Sequence, residues 1–123
     1  MMHILFFMTL LLTGAADPAA SYRHLLIFGE KEHPALLKEQ LQQLDRSAAG
    51  VRERDIRIRI IEPGNSLYEK HKVRPSQFAV ILIGKDGGEK YRTNKLLPAE
   101  DLFALIDAMP MRKAEMAKDR GRL

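Results

Sequence analysis

Two continuous apolar runs, Leu25-Leu26-Ile27-Phe28 and Phe78-Ala79-Val80-Ile81-Leu82-Ile83, constrain this chain more than any other feature. Successive side chains of a strand point to opposite sides of a sheet, so an unbroken short apolar run suits a strand buried on both faces. A sheet with two such strands at its centre needs cover on each side, which calls for helices above and below it.

The segments between the runs supply that cover. Gly29 stops the first run, Pro34 stands where a first helical turn tolerates proline, and Leu37, Leu41, Leu44 and Ala48 recur at helical spacing. This predicts an amphipathic helix of about four turns, terminated at Gly50. From Asp55 to Glu62 the pattern becomes alternation, with Ile56, Ile58 and Ile60 on one face and Arg57 and Arg59 on the other. Such alternation predicts a strand with one wet face, at or near a sheet edge. Pro63-Gly64-Asn65 is a break, and Ser66 to His71 forms a short helix capped by Asn65 or Ser66, ending before Pro75.

After the second apolar run, Lys85-Asp86-Gly87-Gly88 provides the Asp-Gly turn of a hairpin into Glu89 to Thr93. Pro98 opens a last helix with Leu102, Phe103, Leu105 and Ile106 on its apolar side, Glu100 and Asp101 in its first turn, and Pro110 as its stop. The segment 111–123 reads as a basic tail, either a frayed helix or unfolded. Strand, helix, strand, helix, strand, strand, helix is the order that results. Right-handed crossovers and one terminal hairpin turn it into a mixed four-stranded sheet with helices on both faces, an α/β fold of thioredoxin-like architecture over residues 22–110.

The chain of 123 residues is the length of one domain. Its first sixteen residues differ from the rest: Ile4 to Leu12 is apolar apart from Thr9, no charged side chain precedes Asp17, and Gly14-Ala15-Ala16 places small residues at a cleavage position. This is read as a signal peptide over 1–16, cleaved after Ala16, with a retained membrane anchor as the alternative. The apolar stretch is well short of the roughly 20 residues that span a bilayer as a helix, and no later segment is apolar enough to do so. The expectation is a periplasmic or secreted protein without a transmembrane segment in its mature part. There is no cysteine, so neither a disulfide nor a redox dithiol can form.

The blocks Val80-Ile-Leu-Ile-Gly-Lys-Asp-Gly-Gly and Leu105-Ile-Asp-Ala-Met-Pro-Met-Arg-Lys-Ala-Glu-Met116 carry a resemblance. With the Glu53-Arg54-Asp55 approach to the second strand, the chain resembles the bacterial domain-of-unknown-function family 4174 over roughly Tyr22 to Met116. That family, also called the P-DUDES domain, occurs in animal extracellular-matrix and sushi-repeat proteins as well. The resemblance implies a thioredoxin-like fold, export and no established activity. It brings no catalytic residues, but it draws interest to Asp86, Arg112 and Glu115, which lie in the shared blocks.

In a redox-active thioredoxin relative the reactive thiols follow the first strand, where helix amides lower a thiol pKa. Here that place reads Gly29-Glu30-Lys31-Glu32-His33-Pro34. It is either an anion site or acid–base site built on His33, or a polar loop with His33 near the helix cap. Pro75 is a candidate for the cis-proline such folds place opposite this loop, a trans proline ending the short helix being the other reading. His24, His33 and His71 have no zinc-ligand spacing and no cysteine beside them, and no cofactor is expected.

The formal charge is +4. Arg52, Arg54, Arg57, Arg59, Lys70, Lys72 and Arg74 make a basic middle, and Arg112, Lys113, Lys118, Arg120 and Arg122 make the tail basic. The aromatics sit in core-type positions, without the stacking platform a nucleic-acid reader needs. These features predict a binding or interaction module meeting an acidic envelope or extracellular partner, the bland alternative being a solvated face. An enzyme of hydrolase type using the His33 loop or Asp86 is the competing expectation.

Overall fold

The computed structural model describes residues 22–121. The leader predicted over 1–16, with its cleavage point, lies outside the described residues, as does Arg122. The described elements are β1 (Arg23–Phe28), α1 (Pro34–Arg46), α2 (Ala48–Glu53), β2 (Ile56–Ile60), α3 (Leu67–Lys70), β3 (Ala79–Ile83), β4 (Glu89–Thr93), α4 (Ala99–Asp107) and α5 (Pro110–Gly121).

The four strands form one sheet in the order β2-β1-β3-β4. β1 and β2 are parallel, while β1–β3 and β3–β4 are antiparallel. The two apolar runs are therefore neighbours at the centre, with Leu25 opposite Leu82 and Ile27 opposite Val80. This is the mixed α/β sheet that the sequence predicts, and it is consistent with a thioredoxin-like arrangement.

Period-two alternation divides the apolar residues between two cores. On one face Leu25, Ile27, Val80 and Leu82 pack with Leu44 of α1, Val51 of α2, and Leu102 and Ile106 of α4. On the other, Leu26, Phe28, Ala79 and Ile81 meet Ile61, Tyr68 and Val73. Phe28 and Tyr68 touch edge to face there, with ring centroids 4.9 Å apart. One short helix, α3, together with its flanking loops covers this second face. Buried Gln40 joins α1 to the chain before α4: its amide nitrogen donates to Leu97 O at 2.8 Å and its oxygen accepts from Leu97 N at 2.7 Å.

Three local features depart from the sequence reading. The first helix breaks at Ser47, and a second one runs through Gly50 to Glu53. Gly50 serves close packing instead of termination, since a Cβ there would lie 2.5 Å from a Phe103 ring carbon. Pro110 does more than end α4: it opens α5, where a missing N–H costs nothing, and the segment after Met111 is helical to Gly121. No peptide among the described residues is cis, so Pro75 is trans. No helix among them is long and apolar enough to cross a membrane.

Candidate functional site

Each candidate residue is held differently, and the two ends of the sheet contrast. At the carboxyl end of β1, Gly29 turns the chain with φ +97 and donates its N–H to Tyr68 Oη at 2.9 Å. His33 stands at the start of α1, its Nε2 2.9 Å from Ser76 O. A carbonyl only accepts, so Nε2 carries the proton and donates. The ring also lies edge-on to Phe78. The loop at the first helix thus meets Ser76, and His33 ties the two together. No group of three or more His, Cys, Asp or Glu side chains that could hold a metal occurs among the described residues.

Asp86 lies in the β3–β4 turn and is exposed. One carboxylate oxygen accepts from Gly88 N at 2.9 Å and the other from Lys90 Nζ at 2.8 Å. The Lys90 hydrogen bond first, then the Gly88 amide, hold its pKa below the usual carboxylate value. Its contacts are those of a residue that fixes a hairpin turn.

Arg112 and Glu115 belong to an ion network at the opposite end of the sheet. Arg23 opens β1, Glu53-Arg54-Asp55 leads into β2, Lys85 follows β3, Asp107 ends α4, and Arg112 and Glu115 come from α5. Lys85 Nζ donates to Asp55 at 2.9 Å and to Glu115 at 2.8 Å. Arg23 reaches Glu115 with both terminal nitrogens, at 3.4 and 3.3 Å, and Arg54 O at 2.8 Å. Arg112 donates to Asp107 at 3.0 Å and to Glu53 at 2.6 Å. Arg54 holds Asp107 bidentately at 3.0 and 2.9 Å while its guanidinium lies 4.1 Å over the Phe103 ring. The cations Arg23, Arg54, Lys85 and Arg112 thereby match the carboxylates Glu53, Asp55, Asp107 and Glu115 in number.

Burial in this network falls on the cations: the Arg23 and Arg112 side chains are 1% and 2% exposed, against 61% for Glu53. Burial alone would raise the Glu115 pKa, but hydrogen bonds from Lys85 and Arg23 outweigh it and hold the carboxyl below its ordinary value. Asp107 is lowered chiefly by the Arg54 hydrogen bond, against a smaller opposing effect of burial. Burial likewise opposes, and hydrogen bonds to Glu115 and Asp55 reverse, the shift on Lys85, which rises. These carboxylates stay ionised and bonded at neutral pH, so the network acts as a clamp fastening α5 to the sheet, with no proton ready to transfer.

Arg23 and Asp107 escape a search for apolar periodicity. Arg23 shares the period-two face of Leu25 and Ile27, a signal that its side chain points into the core side. Asp107 lies inside the second resemblance block, between Ile106 and Ala108.

The basic middle divides in two. Arg54 is consumed by the clamp, whereas Arg57 and Arg59 stand exposed on β2, an edge of the sheet. Arg57 stacks over the Tyr22 ring at 4.0 Å, and neither arginine has a carboxylate partner among the described residues. On the other face of β2, Ile58 and Ile60 line an open groove of about 670 Å³ with Leu41, Leu44, Ala48 and Val51. Lys38, Arg52 and Asp45 stand at its margins. Ile60 is 40% exposed there, one of the few large apolar side chains so placed.

Fold and site together define a small α/β domain with a central two-face core, a closed ion clamp at one end and an open basic edge. The chain belongs to the family described as Domain of unknown function (DUF4174), whose model matches residues 16–115. That span ends on Glu115, so it takes in every member of the clamp. No curated protein matches the chain, and no solved structure does.

Proposed function

We propose that this protein is a non-enzymatic interaction module of the cell envelope, engaging an acidic partner through the basic edge of its sheet. The observation that carries the reading is the pair Arg57 and Arg59, exposed on β2 with no carboxylate partner among the described residues. Exposed charge left unpaired on one strand face, beside an open apolar groove, is a surface with both electrostatic and hydrophobic demand. The buried cations are each matched by acids; what distinguishes Arg57 and Arg59 among the exposed ones is that they share one face of an edge strand whose other face borders an apolar groove.

The envelope part rests on the apolar Ile4 to Leu12 stretch followed by small residues up to Ala16. Hydrolase-type chemistry at His33 or Asp86 has less to support it, since the His33 contact is a backbone carbonyl and the Asp86 contacts are Lys90 and a backbone amide.

Capture of polyglutamate by the full chain tests the reading. Binding at low salt should weaken steeply by ~0.5 M salt, and an Arg57→Glu/Arg59→Glu variant should lose it. Binding indifferent to both changes ends the electrostatic reading. A mass spectrum of the envelope fraction with a mature N-terminus near Asp17 supports export, and a chain kept whole in the cytosol refutes it.

A further inference from the structure

We propose that β2 accepts an added strand: an extended protein segment in which acidic and apolar residues alternate. The proposal rests on the acidic-partner reading and specifies the form of the partner.

Among the described residues β2 is bonded on one side to β1 and has no strand on the other, so its outer edge offers a row of backbone groups available for pairing. Its two faces make different demands. Arg57 and Arg59 project from one, and Ile58 and Ile60 border the groove on the other. An incoming strand has the same period of two, so its side chains fall beside same-face neighbours on β2. Acids on one face then meet the arginines, while apolar residues on the other enter the groove formed with Leu41 and Val51.

Charge decides against the obvious rival, a second copy of this chain. Continuing the sheet through two β2 strands keeps like faces together, setting Arg57 and Arg59 against their own counterparts, and like charges opposite one another repel. Charge also separates the two edges of the sheet. On β4, Glu89 pairs with Arg92 at 2.8 Å and Lys90 with Asp86 at 2.8 Å, so that edge is already neutralised. Charged residues on an edge normally discourage pairing; on β2, charges of one sign make it selective.

The experiment uses the full-length chain and a labelled peptide of alternating glutamate and valine, with a second peptide N-methylated on alternate amides. N-methylation removes the backbone donors and leaves charge and apolarity in place. The parent peptide should bind at low salt, the N-methylated one about tenfold more weakly or worse, and amide exchange should slow at Ile56–Ile60. Ile60→Glu, at a half-exposed position, should weaken parent binding while leaving the melting temperature unchanged. Equal binding of the two peptides, or binding of polyglutamate without the alternating peptide, overturns strand addition and leaves the acidic-partner reading standing. If neither polyglutamate nor the peptide binds, both fall. Exchange that slows on β4 alone, or a stable dimer with protected β2 amides, also overturns it.

Discussion

Arg23, the first residue of β1, and Glu115, in the last helix, are 92 positions apart and 3.3 Å from each other. The contact closes the fold from end to end. It also exposes a weakness, because Arg23 is buried and depends on this carboxylate. Glu115→Gln leaves Arg23 and Lys85 short of a counter-charge, and breaking one side of a buried pair is strongly destabilising. Since Glu115 is itself partly exposed, we expect a loss of about 2–3 kcal/mol, read as a melting temperature lower by about 10 °C. A shift under about 2 °C would mean that the clamp carries little stability.

Acid should weaken the clamp. Asp107, lowered by the Arg54 hydrogen bond, and Glu115, whose Lys85 and Arg23 hydrogen bonds overcome burial, both have folded pKa values below their ordinary ones. The unfolded chain therefore binds protons first, so their contribution is complete above the unfolded carboxylate range. It is lost as pH falls from about 4 toward the folded values. Urea unfolding across pH 7 to 2 should show stability dropping in that window, and Asp107→Asn should flatten the drop. An unchanged slope in the variant would place the acid sensitivity elsewhere.

Gln40 is fully buried, and both its amide atoms serve the backbone of Leu97. Gln40→Leu keeps a similar volume but strands a buried donor and a buried acceptor, so it should cost about 2–4 kcal/mol in chemical denaturation. Were the leucine variant as stable as the parent, the loop before α4 would have to be making these bonds to water.

Gly29 has φ +97, and a Cβ on it would sit 2.6 Å from Gln77 O and 2.8 Å from Phe78 Cα. Both obstacles are backbone and cannot rotate away. Gly29→Ala should therefore destabilise by about 3 kcal/mol or more, a loss thermal unfolding will register plainly.

His33→Ala and Asp86→Asn are expected to leave capture of the acidic probe unchanged, because both residues lie outside the β2 edge. Loss of a hydrolytic turnover in either variant, measured on the purified chain with a panel of ester and phosphate substrates, would instead bring the enzyme reading forward.

Much of this architecture is legible in the chain itself. Leu25–Phe28 and Phe78–Ile83 announce two central strands, Ile56-Arg-Ile-Arg-Ile60 an edge strand, Lys85–Gly88 a hairpin, and Leu37, Leu41 and Leu44 a helix face. Those features are local: side-chain period and turn chemistry act over a few residues, so a linear reading captures them. The absence of cysteine is equally plain. What the chain does not reveal is the fate of its charges. Arg112 reads as part of a basic tail and is buried, and Arg23 is buried too, while Arg57 and Arg59 are exposed and have no carboxylate partner among the described residues. Strand alternation points Arg23 to the core side and Arg57 and Arg59 away from it, but it names no counter-charge, and nothing local marks Arg112 for burial. A cation can leave water only where carboxylates replace its solvation; Glu115 reaches Arg23 from 92 positions away and Glu53 reaches Arg112 from 59, beside the nearer Asp107. Tertiary structure alone decides which charges are neutralised inside and which stay outside in water.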